Sequence, residues 1–220
     1  MPEHRDYCAP FLSALPVSGA AISTVGELAR VPETLCASDA QAARLDELQF
    51  DLGEGPCWQA KATKLPVLEP DVRTHPNNAW PLFFDALQKL PVRAMFAFPL
   101  MIGPMSVGVV DLYSSSPGSL GPRLEKEAGR LAQEASRRVL SEMVSRMTDE
   151  FEGQTALEKE FSRRTIYQAT GMVIAQLQIS ADDAALVLRA HAFAAGRPVR
   201  DVAEDVLAWR LDFSASGDNS

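Results

Sequence analysis

VRAMFAFPLMIGPMSVGVVDLYS, residues 92–114, consists of two apolar runs around Gly103-Pro104. Runs rich in Val, Phe and other strand formers on either side of a Gly-Pro pair read as two strands joined by a turn. Upstream, GAAISTV (19–25) and VPETLCAS (31–38) form a second such pair around Gly26. Helical spacing appears between the pairs. DAQAARLDELQF (39–50) can be capped by Asp39, and DLGEGPCWQAKATK (51–64) is a loop entering a short helix with Pro56 in its first turn. LPVLEPD is a short strand and RTHPNNAW a polar loop. WPLFFDALQKL is a helix with Trp80, Phe83, Phe84 and Leu87 on its buried side. Strands in sequential pairs with helices between them predict an α+β class with a largely antiparallel sheet.

Downstream, SSSPGSLGP is a linker by composition. The segment from Arg123 to Phe151 then lacks Pro and is dominated by Ala, Leu, Glu and Arg. Leu124, Ala128, Leu131, Ala135, Val139, Met143 and Met147 recur at three- and four-residue steps, predicting a long amphipathic helix over 123–154. Its first half should pack on the sheet. Its second half is expected to pair with a second chain, although the pattern is not a strict heptad.

Residues 155–213 read as three short helices. The first, from about 155 to 177, carries an apolar stripe of Ile166, Ala169, Val173, Ile174 and Leu177. Tyr167, Gln168, Thr170, Gly171 and Gln176 collect on its other side. A mid-helix glycine costs about 0.5–1 kcal/mol relative to alanine. Gly171 therefore suggests a close approach, either by a neighbouring helix of the bundle or by an outside surface. Ser180 opens the second helix, Gly196 stops it, and Pro198 starts the third, with Val202, Ala203, Val206, Leu207 and Leu211 inward. The tail 214–220 is polar and expected to be disordered.

Charge narrows the function. The chain has 21 Lys+Arg against 29 Asp+Glu, a net charge of −8. Residues 155–213 hold 7 and 8 of these, so the C-terminal part is nearly neutral. Nucleic-acid contact there must rest on a few arginines on one face. MPEHRDYCAP lacks the basic start and apolar block of a secretory signal, and no apolar run of about 18 residues occurs, so a cytoplasmic chain without a membrane span is expected. Cys8, Cys36 and Cys57 are too few and too scattered for a disulfide framework or a zinc site. No metal or cofactor is expected. Cys57, near a helix start where the dipole favours thiolate, is either a buried inert thiol or a redox- or ligand-sensing one. His75 falls in a loop that could reach a pocket, but the three histidines offer no ligand set.

RRTIYQATGMVIAQLQISADDAALVLRAHAFAAGRPVRDVAEDVL, residues 163–207, resembles the ANTAR domain, an RNA-binding three-helix module of bacterial transcription antiterminators. The resemblance rests on the arginine pair ahead of Gln-Ala-x-Gly-Met, the Ser-capped helix with Leu-Arg-x-x-Ala, and Asp-Val-Ala in the last helix. Thr170 stands where many members carry lysine, which removes a phosphate-directed charge. Residues 9–145 are similar to GAF sensor domains, through Gly53-Glu54-Gly55-Pro56-Cys57, Val67 to Asp71, Trp80-Pro81 and the 98–114 hairpin.

The resemblance implies dimers that hold paired stem-loops in nascent messenger RNA and so keep a terminator hairpin from forming. The GAF domain would sense a signal, through a small molecule of unspecified kind, or dimerise. RNA-binding residues would be Arg163, Arg164, Gln168, Thr170 and Gly171 on the first helix. Arg189, His191, Arg197 and Arg200 would supply phosphate contacts. Arginine pairs bidentately with phosphate or guanine, and glutamine offers a donor and an acceptor to a base edge. Two alternatives stand beside this reading. Three short helices can form a DNA-binding helix-turn-helix, but a basic recognition helix is missing. Some GAF proteins reduce methionine sulfoxide with two cysteines, but Cys57 has no partner motif. No nucleotide loop or catalytic triad appears, so the protein is not expected to be an enzyme.

Overall fold

The computed structural model describes residues 7–25, 32–74, 79–149 and 164–214. The expected turn at Gly26, His75, Arg163, the stretch 150–163 and the tail beyond Ser214 lie outside them. The chain separates into two units, Met1–Phe161 and Ser162–Ser220.

In the first unit, β4 (Ala94–Ile102) and β5 (Met105–Ser114) form the hairpin expected around Gly103-Pro104, with Ile102 opposite Met105. They join β1 (Gly19–Thr24), β2 (Glu33–Ala37) and β3 (Val67–Glu69) in one sheet of order β2-β1-β5-β4-β3, antiparallel throughout. Side chains alternate across a strand, so each inner strand feeds two apolar layers. Ile22, Phe96, Phe98 and Leu112 face one layer with Phe11, Leu131, Ala135 and Val139. Ala21, Met95, Ala97 and Val109 face the other with Leu45, Trp80, Phe83 and Leu87.

The first layer is closed by α1 (Ala9–Ala14) and by α5 (Gly121–Asp149). α5 turns Ala128, Leu131, Ala132, Ala135 and Val139 onto the sheet. Its outward side is charged, with Arg130 paired to Glu127 and Glu134.

The second layer is closed by α2 (Ala40–Leu52), α3 (Pro56–Thr63) and α4 (Pro81–Leu87). Asp39 caps α2 as expected, accepting from the Ala42 N–H at 2.9 Å and from the Tyr113 hydroxyl at 3.0 Å. Burial and that carboxylate push the Tyr113 phenol up to about 12. Phe84 departs from its expected place on the buried side of α4 and is only half-buried.

Polar side chains inside the second layer hold one another. Asp46 accepts from Ser23 and Thr34. Gln49 donates to Asp111 at 3.1 Å and accepts from the Cys57 N–H at 2.8 Å. Gly55, at φ +130°, lies so close that a Cβ there would sit 2.5 Å from the Gln49 amide oxygen.

One sequence expectation fails here. Cys8 and Cys36 form a disulfide, with Cα atoms 6.2 Å apart across 28 residues of sequence. The short helix α1, which no sequence signal had marked, folds back along β1 and brings Cys8 to the sheet edge. Separation along the chain did not report that distance.

The second unit contains α6 (Arg164–Leu177), α7 (Ala181–Ala195) and α8 (Val199–Leu207). Among its described residues, Ile166, Ala169, Val173, Ala184, Leu188, Ala192, Val199, Val202, Ala203 and Val206 are buried and apolar. The Ser180 hydroxyl accepts from the Asp183 N–H at 3.1 Å to start α7. Gly196, at φ +61°, ends it, with the Arg197 N–H returning to the Ala192 carbonyl at 3.0 Å. Among the described residues no single helix is long and apolar enough to cross a membrane. α6 and α7 pass that test only as a pair, bent by 106°.

Candidate nucleic-acid interface

Each residue of an α-helix advances about 100° around its axis. On α6 this puts Arg164, Gln168, Gly171 and Ala175 within one narrow stripe, opposite Ile166 and Val173. Gln168, Gly171 and Ala175 are exposed, and Tyr167 flanks the stripe with 40% of its surface free. A Cβ built on Gly171 would meet nothing within 4 Å. Among the described residues, then, no helix of the bundle leans on Gly171. Ala175 was not singled out from sequence. Only the phase of the helix shows that it extends the same strip of small residues.

Thr170 departs from the expectation. It lies about 40° from Ile166 in helical projection, on the inner half of α6, and is 8% exposed. Its hydroxyl donates to the Ile166 carbonyl at 2.8 Å, the back-bond that threonines make inside helices. Gln176 also turns inward from its expected polar face, accepting from the Phe213 N–H at 3.3 Å.

The remaining cations are not a loose positive field. Arg189 and Arg200 are half-buried. His191 is half-buried, with the Phe213 ring edge-on at 5.4 Å. Arg197 and Arg210 converge on Asp205, each at 2.8 Å. The two guanidinium groups, Arg210 first, hold the Asp205 carboxyl below its ordinary range. Arg197, expected as a phosphate contact, is thus already ion-paired, although nearly half of its side chain stays open. Large apolar groups that sequence reading passed over are exposed here: Leu186 and Phe193, seven apart on α7, and Trp209.

In the first unit, Cys57 is the second residue of α3, near the helix start as expected. Its thiol is 3% exposed and packs in the layer with Trp80 and Phe83, so an outside reagent has no direct path. Cys36 cannot serve as its redox partner, being bonded to Cys8 against the other layer. Between β1, β4, β5 and α2 the space left open is about 10 Å³, room for one water at most. Among the described residues no group of three or more His, Cys, Asp or Glu could hold a metal ion.

The GAF domain family matches residues 12–140, and the ANTAR domain family matches residues 154–207. The chain belongs to the GAF domain family and carries a C-terminal ANTAR domain. No curated protein matches it. Among solved structures, it is similar to a domain of a two-component sensor histidine kinase protein from Sinorhizobium meliloti. That match has 15% identity and a TM-score of 0.50, covering 67% of this chain and 94% of that one. A GAF domain/HD domain protein from Geobacter sulfurreducens matches at 11% identity and a TM-score of 0.47, covering 66% and 91%. A type II free methionine-R-sulfoxide reductase from Thermoplasma acidophilum matches at 14% identity and a TM-score of 0.43, covering 60% and 86%. At such identities likeness speaks to the fold alone. The α6 stripe lies inside the ANTAR match. Trp209, Arg210 and Phe213 lie just beyond it, yet Phe213 closes back on Gln176 and His191. Both families are regulatory modules, so the GAF–ANTAR chain is a regulator by kind.

Proposed function

We propose that this GAF–ANTAR protein is a cytoplasmic RNA-binding antitermination regulator and not an enzyme. Two ANTAR bundles, held together by the GAF domain and the connecting helix, grip a pair of adjacent stem-loops in nascent messenger RNA. The terminator hairpin then cannot form.

One observation carries this reading: the uncovered α6 stripe within a bundle of the ANTAR family. Loop bases are unstacked and can be read by hydrogen bonds or by stacking, whereas duplex RNA is recognised mostly by its shape. Gln168 offers both halves of an amide to a base edge, and Arg164 at the head of the stripe offers a forked donor. Gly171 and Ala175 leave the strip low enough for a loop backbone to lie against it. Arg163 adds a charge by sequence position. Arg189, His191, Arg197 and Arg200 would contribute phosphate contacts, with Arg197 held ready by Asp205. Thr170 supports the helix from within.

The test is a titration of the full chain, at two salt concentrations, against tandem stem-loop RNA, a loop-scrambled control and duplex DNA. Preference for intact loops, with a shallow salt slope of about 2–4 phosphate contacts per bundle, supports the reading. Equal binding to duplex DNA would replace it with the DNA-binding alternative.

A further inference from the structure

We propose that Cys8 and Cys36 form a reversible thiol–disulfide latch that holds α1 and Tyr7 on α5, the helix preceding the ANTAR domain in the chain. The latch lies wholly within the GAF unit and stands whatever the ANTAR domain binds.

α1 is six residues long, too short to persist by its own hydrogen bonds, and it takes no part in the sheet. Its C-terminal end is tethered by the turn into β1. Its N-terminal end is pinned covalently only by the disulfide, because Cys8 is its N-cap. Tyr7, the next residue outward, makes the contact with α5. Its hydroxyl donates to the Glu142 carboxylate, and the Arg138 guanidinium lies 4.7 Å over its ring. Phe11 and Leu15 share the apolar layer of Leu131, Ala135 and Val139. That packing is incomplete: a crevice of about 50 Å³ remains between Tyr7, Pro10 and Phe11 on one side and Leu131, Ala135 and Arg138 on the other. The short helix thus rests on α5 through the buried Phe11 and Leu15 and the Tyr7 contacts, while its one covalent tie runs to Cys36 on β2.

The bond is placed for exchange. Cys8 is 1% exposed, but Cys36 is half-buried on β2, which among the described strands is an edge of the sheet. A unit with a five-stranded sheet and two apolar layers is not one of the small domains that depend on disulfides for a core. A low-molecular-weight thiolate attacks the Cys36 sulfur, the Cys8–Cys36 bond breaks, and Cys8 leaves as thiolate and takes a proton. A second small thiol frees Cys36 from the mixed disulfide. The protein gains two electrons and two protons, and a small-molecule disulfide departs. Excess small-molecule disulfide drives the reverse. Cys57, in the opposite layer, takes no part.

Hydrogen exchange on the full chain, poised in mixtures of reduced and oxidised glutathione with thiols counted by alkylation, tests this. Two thiols should titrate reversibly. Reduction should speed exchange at least tenfold in residues 7–15 and 138–143 while β4 and β5 keep their protection. Cys36→Ser should show the reduced pattern in both buffers, and Cys57→Ser should leave the titration unchanged. Should Cys36→Ser fail to fold, reduction of the unaltered chain carries the test. A bond that opens only when β4 and β5 also lose protection would make it a structural staple and overturn the proposal. A reduced chain with the oxidised exchange pattern would overturn it equally.

Discussion

The two units treat polar side chains in opposite ways. In the GAF unit they turn inward. Asp46, Gln49 and Asp111 lie between sheet and helices, engaged with Ser23, Thr34 and the Cys57 N–H. In the ANTAR unit the buried apolar residues are alanine, valine, Leu188 and Ile166, the buried Thr170 only back-bonds within its own helix, and Gln168 stands exposed on α6.

The strongest way to break the comparison is to open the closed unit. Phe83 is fully buried, edge-on to Trp80 at 5.9 Å. Phe83→Ala should cost about 3–5 kcal/mol by lost transfer energy plus a cavity. Denaturant unfolding should show the loss in the GAF unit alone, with helical signal from the ANTAR unit retained. Gln49→Ala comes next. It removes a donor to Asp111 and an acceptor for the Cys57 N–H together, and should cost about 2–3 kcal/mol. A neutral result would mean that the inward polar network contributes nothing to the closed interior.

On the open unit, Arg164→Ala and Gln168→Ala should each weaken stem-loop binding about tenfold, near 1.4 kcal/mol, with unfolding of the bundle unchanged. A double mutant that binds normally would remove α6 as the reading surface. Gly171 separates stability from binding. With open space around it, Gly171→Ala should stabilise the bundle by about 0.5–1 kcal/mol, whereas Gly171→Leu should keep the fold and lose RNA. A destabilised Gly171→Ala would show that the bundle itself needs the glycine.

Much of this was readable beforehand, for physical reasons. The 92–114 hairpin, the Asp39 cap, the Gly196 stop and the apolar stripe of α6 are local signals, set by spacing and by backbone chemistry. What escaped was non-local or a matter of phase. The Cys8–Cys36 bond depends on α1 folding back, and a six-residue helix leaves no periodic trace. Thr170 sits beside Gly171 in sequence but one hundred degrees away around the helix, so adjacency misled where rotation would have informed. The burial of Cys57 follows from one apolar layer to which strands β1, β3, β4 and β5 and helices α2, α3 and α4 all contribute.

The smallest effect sharpens the contrast from the charged side. Asp205 holds Arg197 and Arg210 on the surface of the ANTAR unit, and its carboxyl is held below the ordinary value of 3.8 by Arg210 first and Arg197 second. A carboxylate whose folded pKa is depressed adds stability above its unfolded pKa and loses it as pH falls through the folded one. The contribution should therefore be present at pH 7 and fade only below about pH 4. Exposed ion pairs add little, so Asp205→Asn should lower the melting temperature slightly at pH 7 and in low salt, and the difference from the parent should close as pH falls through the depressed folded value. RNA binding gives the second reading of the same variant. Freed from Asp205, Arg197 keeps its charge but loses its fixed direction. If orientation matters, affinity falls despite the lost negative charge; if only net charge matters, affinity rises.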